Sequence, residues 1–274
     1  VGRDVELGTA TIAYFGSDYT ADIKRAQHLM GVVADESNLY PEMSGYENLC
    51  FCASLYGIGR RDREGRARRL LESFGLAKAG ARKFGGYSRG MKRRLTIAAG
   101  VIHEPRILFL DEPTSGIDVA SARQIRSLIA GLRQSGTTVF LTTHYIEEAE
   151  RLCDRIAFIV DGRIVRTDTT ESLLGPTQDE HVVELAVTKQ LDGVPAGIEN
   201  EIANAVFEVQ SSTRLRVVTR APLPLAPLVR ALEDRGIPVT EARAIRPSLE
   251  DVFVRITGIE AQQMKAEKER KGPK

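Results

Sequence analysis

Two adjacent carboxylates follow a short apolar run near the middle of the chain. Residues 107–110 are all apolar, and Asp111 and Glu112 come directly after them, before a Pro-Thr-Ser-Gly turn. An uninterrupted apolar run bounded by turn residues is typical of a strand buried on both faces of a parallel sheet. Open α/β sheets place their chemistry at the carboxyl ends of such strands. One carboxylate could hold Mg²⁺ while the other polarises a water molecule, as phosphoryl transfer requires.

Two further elements could bind phosphate. Ser88 and Gly90 precede an amphipathic segment that begins at Met91. We expect Ser88 to cap a helix and Gly90 to allow close approach of the backbone to a ligand. The amino terminus of a helix attracts phosphate through its unpaired N–H groups and its dipole. His144 follows a second strand-like apolar run at residues 138–141.

In this order and spacing, the three elements resemble the ATP-binding cassette (ABC) ATPase family. Residues 88–91 resemble its signature motif, and Asp111 with Glu112 resembles the end of its Walker B motif. Residues 115–118 resemble its D-loop, and His144 resembles its switch histidine. Each motif alone is weak, but the combination is specific.

The resemblance implies ATP and Mg²⁺ as ligands and a role for each residue. Asp111 would hold Mg²⁺ through water, and Glu112 would be the general base that orients the attacking water. His144 would contact the γ-phosphate. The alternative is that the two carboxylates only favour the start of a following helix, and that the histidine is structural.

The signature motif implies a second ATPase subunit. The family forms head-to-tail dimers in which the signature of one chain meets the ATP held mainly by the other. Ser88, Gly90, Met91 and Asp118 would therefore bind nucleotide across the interface of a homodimer or heterodimer. Arg89 departs from the glycine that is commoner at its position in the family.

Asp35 is the larger departure from the family pattern. The family normally has glutamine there, and its amide reaches Mg²⁺ and couples the ATPase to the membrane subunit. A carboxylate could also reach the metal, but it adds a negative charge and loses the amide donor. Asp35 could equally be a turn residue.

The phosphate-binding loop Gly-x-x-x-x-Gly-Lys-Ser/Thr is missing, since the chain contains no Gly-Lys dipeptide. In the family this loop precedes the strands described above. We therefore expect an amino-terminal truncation, with the first strands of the core missing as well. Without the lysine and the N–H groups of the loop, this chain alone should bind Mg-ATP very weakly and be inactive.

The predicted fold is α/β: a P-loop NTPase-like ABC ATPase core lacking its first strands, with a helical insert and a small carboxy-terminal α+β domain. The ATPase domain would span residues 1–178, with the helical insert at about 36–102, and the accessory domain 179–258. Residues 246–258 resemble the end of the accessory domain of daunorubicin-resistance-type exporter ATPases. The charged tail, 259–274, should be a frayed helix or disordered.

Composition excludes several classes of protein. The net charge of +1 offers no electrostatic case for nucleic acid as a partner. The arginines between residues 60 and 69 could suggest one, but we interpret them as the solvated face of a helix. No apolar run approaches the roughly 20 residues that span a bilayer. The three cysteines lack metal-ligand spacing, which indicates reduced thiols.

The function predicted from these patterns is the ATP-hydrolysing subunit of an ABC-2 type exporter. It would lie on the cytoplasmic face of the membrane and drive a separate permease, with residues 36–48 lining the groove that receives the permease. One alternative is a non-catalytic or regulatory subunit that donates a signature half-site to an intact partner. Another is a soluble ABC protein acting on ribosomes or DNA.

Overall fold

The computed structural model describes residues 13–14, 16–19, 22–175, 180–200, 202, 205–245 and 247–258. These residues belong to two compact units, 1–144 and 145–274. The predicted tail 259–274 lies outside the described residues. The predicted domain boundary at 178/179 falls inside the second unit and within the undescribed stretch 176–179, so it stays a prediction.

The first unit combines a parallel sheet with helices. Its described strands are β1 (Ala13–Tyr14), β2 (Ser17–Asp18), β3 (Met30–Val33), β4 (Ile107–Asp111) and β5 (Thr138–Thr142). Its described α-helices are α1 (Ile23–Gln27), α2 (Gly45–Leu55), α3 (Arg60–Ser73), α4 (Arg89–Val101) and α5 (Val119–Gln134).

Strands β3, β4 and β5 form a parallel sheet in that spatial order, which confirms the parallel pairing predicted for the apolar run. Leu110 pairs with Val33 on one side and with Leu141 on the other. Parallel strands end at the same edge of a sheet, so the residues that follow β3, β4 and β5 are brought together there.

Burial differs along the sheet: residues 107–110, predicted to be buried on both faces, are mostly buried, whereas β5 and β3 are partly exposed. Leu108 and Leu110 are almost fully buried, but Phe140 is 58% exposed and Val32, in β3, is 69% exposed. Helix α4 covers only one face of the sheet, where it packs closely against Gly31 and Val33. Val32 and Phe140 point to the opposite face because side chains alternate along a strand.

Helices α2, α3 and α4 follow β3 and precede β4 along the chain, and they pack on one another. A capping box begins α2: the Glu47 N–H donates to Ser44 Oγ at 3.1 Å, and the Ser44 N–H donates to Glu47 Oε2 at 2.7 Å. Each helix buries apolar residues in this packing, among them Leu49 of α2, Leu71 of α3 and Leu95 of α4. This packing fixes where the amino terminus of α4 lies.

The second unit contains a hairpin and an antiparallel sheet. Its described strands are β6 (Arg155–Val160), β7 (Arg163–Thr169), β8 (His181–Val187), β9 (Val206–Ser211), β10 (Arg214–Thr219) and β11 (Val239–Ile245). Its described α-helices are α6 (Ile146–Leu152), α7 (Thr170–Leu174), α8 (Leu225–Glu233) and α9 (Leu249–Thr257).

Strands β8 to β11 form a four-stranded antiparallel sheet in the order β11-β8-β10-β9. Leu228 and Leu232 of α8 pack with Leu185 and Leu215 of the sheet in one buried cluster. A second cluster joins α9 to the β6–β7 hairpin through Phe253 and neighbouring residues. Across the described residues, no helix is both long enough and apolar enough to cross a membrane.

Candidate functional site

The structure brings the two predicted catalytic residues into contact. Glu112 follows β4 and His144 follows β5, and His144 Nδ1 lies 2.7 Å from Glu112 Oε2. The side chains of His144 and Glu112 are only 19% and 10% exposed. Because β4 and β5 are parallel neighbours, residues just beyond their ends can meet although the chain separates them widely. A carboxylate held against an imidazole in a shielded place is suited to proton transfer.

The backbone at Glu112 has an unusual conformation. Its φ of 47° lies in the left-handed region, which residues other than glycine seldom adopt. The Glu112 N–H donates to the carbonyl oxygen of Thr142 at 3.0 Å, which extends the β4–β5 ladder by one residue. Strained backbone of this kind persists where the surrounding structure fixes it, and it clusters at functional sites. The residue with this left-handed backbone is the same one whose carboxylate contacts His144.

Asp111 and Asp35, the predicted metal residues, lie at the same edge of the sheet. Asp111 ends β4, and its Oδ1 accepts a hydrogen bond from Thr142 Oγ1. Asp35 follows β3, the parallel neighbour of β4, and both aspartates are exposed. Among the residues that the structure describes, no cluster of three or more His, Cys, Asp or Glu side chains could hold a metal. The pair of aspartates nevertheless fits Mg²⁺, because this ion keeps several waters and needs only one or two carboxylates besides phosphate.

The signature turn, residues 88–91, begins α4. Ser88 Oγ accepts a hydrogen bond from the Met91 N–H at 3.3 Å, which confirms Ser88 as the N-cap. Gly90 is buried against the first turn of α5, where a β-carbon added to it would lie 2.4 Å from Ser121 Oγ. Asp118 caps α5 by accepting from the Ser121 N–H at 2.9 Å, and that hydrogen bond lowers the pKa of Asp118. Two capped helix termini therefore lie side by side.

We expect Gly90→Ala to lower the free energy of unfolding by about 1–3 kcal/mol, because the new methyl group would overlap Ser121. Ser121→Gly removes the two atoms in the way, Oγ and Cβ, and leaves Ile117 at an ordinary 3.7 Å. The double variant should therefore recover most of the loss. Urea denaturation of both single variants and the double variant measures the coupling, and strict additivity would contradict this packing.

Arg89, the departure from the signature pattern, lies over the segment 115–118, which resembles the D-loop. Gly116 has a φ of 61°, and a β-carbon added to it would lie 2.5 Å from Arg89 Nη1. The guanidinium therefore lies directly on the glycine. A larger residue at position 116 would displace Arg89 and strain the turn.

Arg93 was missed as a site residue from the sequence. It lies in α4, is 6% exposed, and donates to main-chain carbonyl oxygens at the ends of two strands. Nη1 donates to Ala34 and, at 3.2 Å, to Asp35; Nη2 donates to Asp111; and Nε donates to Pro113 at 3.1 Å. The sequence could have indicated this role, because an arginine on the apolar stripe of an amphipathic helix is rarely buried without hydrogen-bond partners.

Comparisons with known proteins agree on one family. A family model described as ABC transporter matches residues 5–115. The daunorubicin resistance ATP-binding protein DrrA2 of Streptomyces coeruleorubidus is 37% identical over 255 residues, which cover 92% of this chain and 78% of that protein. The doxorubicin resistance ATP-binding protein DrrA of Mycobacterium tuberculosis is 33% identical over 258 residues, covering 92% and 77%.

A solved structure shows the same fold. It is cbiO1 from Clostridium perfringens, described as part of the ABC transporter complex cbiONQ. It matches with a TM-score of 0.54 and 22% identity, covering 60% of this chain and 67% of that one. At this identity the likeness establishes the P-loop NTPase type of α/β fold predicted from the sequence.

Proposed function

Because the chain belongs to the ATP-binding proteins of ABC transporters, we propose that it helps to hydrolyse ATP and so powers an ABC-2 type exporter through a separate membrane permease. The observation that carries this proposal is the contact between Glu112 and His144, beside Asp111 at the carboxyl edge of the sheet. Two relatives are named for resistance to daunorubicin and doxorubicin, which supports export as the direction of transport.

The residues at the sheet edge divide the chemistry. Glu112 would accept a proton from the water that attacks the γ-phosphate, and His144 would hold Glu112 in place and contact the phosphate. Asp111, and Asp35 if it reaches the metal, would hold Mg²⁺, which neutralises phosphate charge when bound. Phosphoryl transfer to water needs positioning and charge stabilisation rather than a covalent intermediate.

The signature turn would serve a second ATPase subunit. Ser88, Gly90, Met91 and Asp118 would bind the nucleotide held mainly by that subunit, in a homodimer or heterodimer. CbiO1, which shares the fold, is described as part of a transporter complex, and this supports assembly of the chain with a permease. The chain would then lie at the cytoplasmic face of the membrane. Within the chain, residues 1–178 would form the ATPase domain, with its helical part at 36–102, and 179–258 the accessory domain.

The direct test is Mg-ATP hydrolysis by a chimaera in which an amino-terminal segment with a phosphate-binding loop, taken from a loop-bearing ABC ATPase, precedes this chain. We expect turnover that depends on Glu112 and Mg²⁺. If the chimaera folds and binds ATP without turning it over, the hydrolytic role assigned to the sheet edge is wrong.

The chain by itself should bind Mg-ATP very weakly. The sequence has no Gly-Lys dipeptide, so this chain would lack the lysine and the ring of N–H groups that surround the β- and γ-phosphates in such proteins. Isothermal titration calorimetry should show no saturation at micromolar ATP. Tight binding in the micromolar range would contradict this expectation.

A second candidate function follows from the intact signature turn. Ser88 caps α4 and Gly90 lies in its first turn, and a half-site formed by these residues would not need a phosphate loop of its own. The chain could therefore complete the site of a partner that holds ATP. Stimulation of a loop-bearing ABC ATPase by this chain, lost in Ser88→Arg, would favour this function over the first.

A further inference from the structure

One guanidinium connects the signature helix to the strand ends that carry the carboxylates. Arg93 lies one helical turn beyond Gly90, and its donors reach carbonyl oxygens of Ala34 and Asp35 after β3. The same side chain reaches carbonyl oxygens of Asp111 and Pro113 on either side of Glu112. Its three nitrogens are thereby engaged by two loops that are distant in sequence.

Arginine is the residue type that this arrangement requires. Its planar guanidinium presents five N–H donors in fixed directions, whereas the lysine ammonium is a compact charge on a flexible stem. A lysine at position 93 could approach one of the two loops but could not hold both at once. Since the residue is 6% exposed, water is poorly placed to replace the lost contacts.

Two close contacts tie the same end of α4 to the segment that follows Glu112. Gly90 abuts Ser121 so tightly that a β-carbon would lie 2.4 Å from its Oγ. Arg89 lies over Gly116, where a β-carbon would meet the guanidinium at 2.5 Å. The first turns of α4 therefore touch residues 111–121 at three separate places.

We propose that Arg93 is a positioning residue that fixes Asp35, Asp111 and Glu112 relative to the signature turn, so that these two parts move as one body. At the level of ATP chemistry the proposal rests on the function proposed above. If that function holds, contact of Ser88 and Gly90 with the nucleotide of a second subunit would change the positions of the carboxylates in this chain. The rigid connection between the signature turn and the strand ends is a property of this chain without nucleotide.

The test uses the histidine ring signals of the whole chain in ¹H–¹⁵N NMR spectra at fixed pH. The chain has four histidines, and His144 alone contacts Glu112 among the described contacts. In Arg93→Lys, the ring signals of His144 should move by more than a line width, because Glu112 loses its fixed position. Those of His28, His103 and His181 should stay in place, whereas a general loss of packing would move them too.

Arg94→Gln is the matched control. Arg94 is the next residue of the same helix, is half-buried, and donates to the carbonyl oxygens of Gly90 and Phe74 rather than to the strand ends. All four histidine signals should keep their wild-type positions in this variant. A folded Arg93→Lys protein with an unchanged His144 signal overturns the proposal, as does an equal shift in Arg94→Gln.

A measurement on the wild-type chain covers the case in which Arg93→Lys does not fold. In native-state hydrogen exchange, the amides of Glu112 and Ser115 should open at the same denaturant concentration as the amide of Lys92 in α4. Opening of Glu112 and Ser115 well before Lys92 would show that the two parts move separately. Because no nucleotide is present in either experiment, their failure is distinct from a failure of ATP hydrolysis in the chimaera.

Discussion

Replacing Glu112 with glutamine should stop ATP turnover while leaving ATP binding intact in the chimaera that carries a phosphate-binding loop. An amide matches the carboxylate in shape but cannot accept a proton from water. General bases typically contribute about 10²–10⁴-fold to a rate, so kcat should fall at least about 100-fold. The contact with His144 can persist, because the amide still offers polar atoms to its Nδ1 at the position now held by Oε2.

Steady-state ATP hydrolysis and equilibrium ATP binding measure the two halves of this expectation separately. Glu72→Gln, which removes an exposed carboxylate from α3, is the control and should leave both unchanged. Wild-type turnover in Glu112→Gln would refute the general-base role. A loss of binding along with turnover would instead mean that Glu112 shapes the nucleotide site.

Asn48→Ala should lower the free energy of unfolding by about 3 kcal/mol, a large effect for one polar residue. Asn48 is fully buried in α2 and satisfies the main chain of the preceding loop. Its Oδ1 accepts from the Tyr40 N–H at 2.8 Å, and its Nδ2 donates to the carbonyl oxygens of Tyr40 at 2.9 Å and Ser44 at 3.0 Å. Alanine leaves the N–H and the carbonyl oxygen of Tyr40 without the Asn48 side chain, whereas the Ser44 carbonyl oxygen keeps its hydrogen bond from the N–H of residue 48.

Urea denaturation compares Asn48→Ala with Asn38→Ala, which changes an exposed asparagine ten positions earlier and should cost under about 0.5 kcal/mol. Asn48→Asp should be at least as harmful as Asn48→Ala, since it keeps the acceptor but replaces the donor with a buried charge. Equal stability of the Asn48→Ala and Asn38→Ala proteins would show that the loop does not depend on this side chain.

Local features of the site were predictable from the sequence. The Ser88 cap of α4 depends on a hydrogen bond between residues only three positions apart, so the local sequence is enough to predict it. The strands β4 and β5 follow from apolar runs of the right length, and their parallel pairing follows from the helix between them. The order of the signature, carboxylate and histidine motifs then identified the family that the comparisons show.

The exposure of the sheet was predicted less well. The strand-like apolar run at residues 138–141 would suit a buried strand, yet Phe140 is largely exposed in the described structure, as is Val32 of β3. An apolar side chain shows a preference for burial, but whether another element covers it depends on the packing of the rest of the fold. A local pattern therefore cannot settle which face is covered.

By itself, the sequence determined the strands β4 and β5, the Ser88 cap and the family, because these depend on residues that are close together along the chain. Only the tertiary structure decided that His144 lies 2.7 Å from Glu112, since that distance requires adjacent strands and the left-handed turn at Glu112. It also decided the partners of Arg93 and Asn48. Both side chains bind main-chain carbonyl oxygens, which every residue type carries, so no pattern of side chains could have revealed which ones they meet.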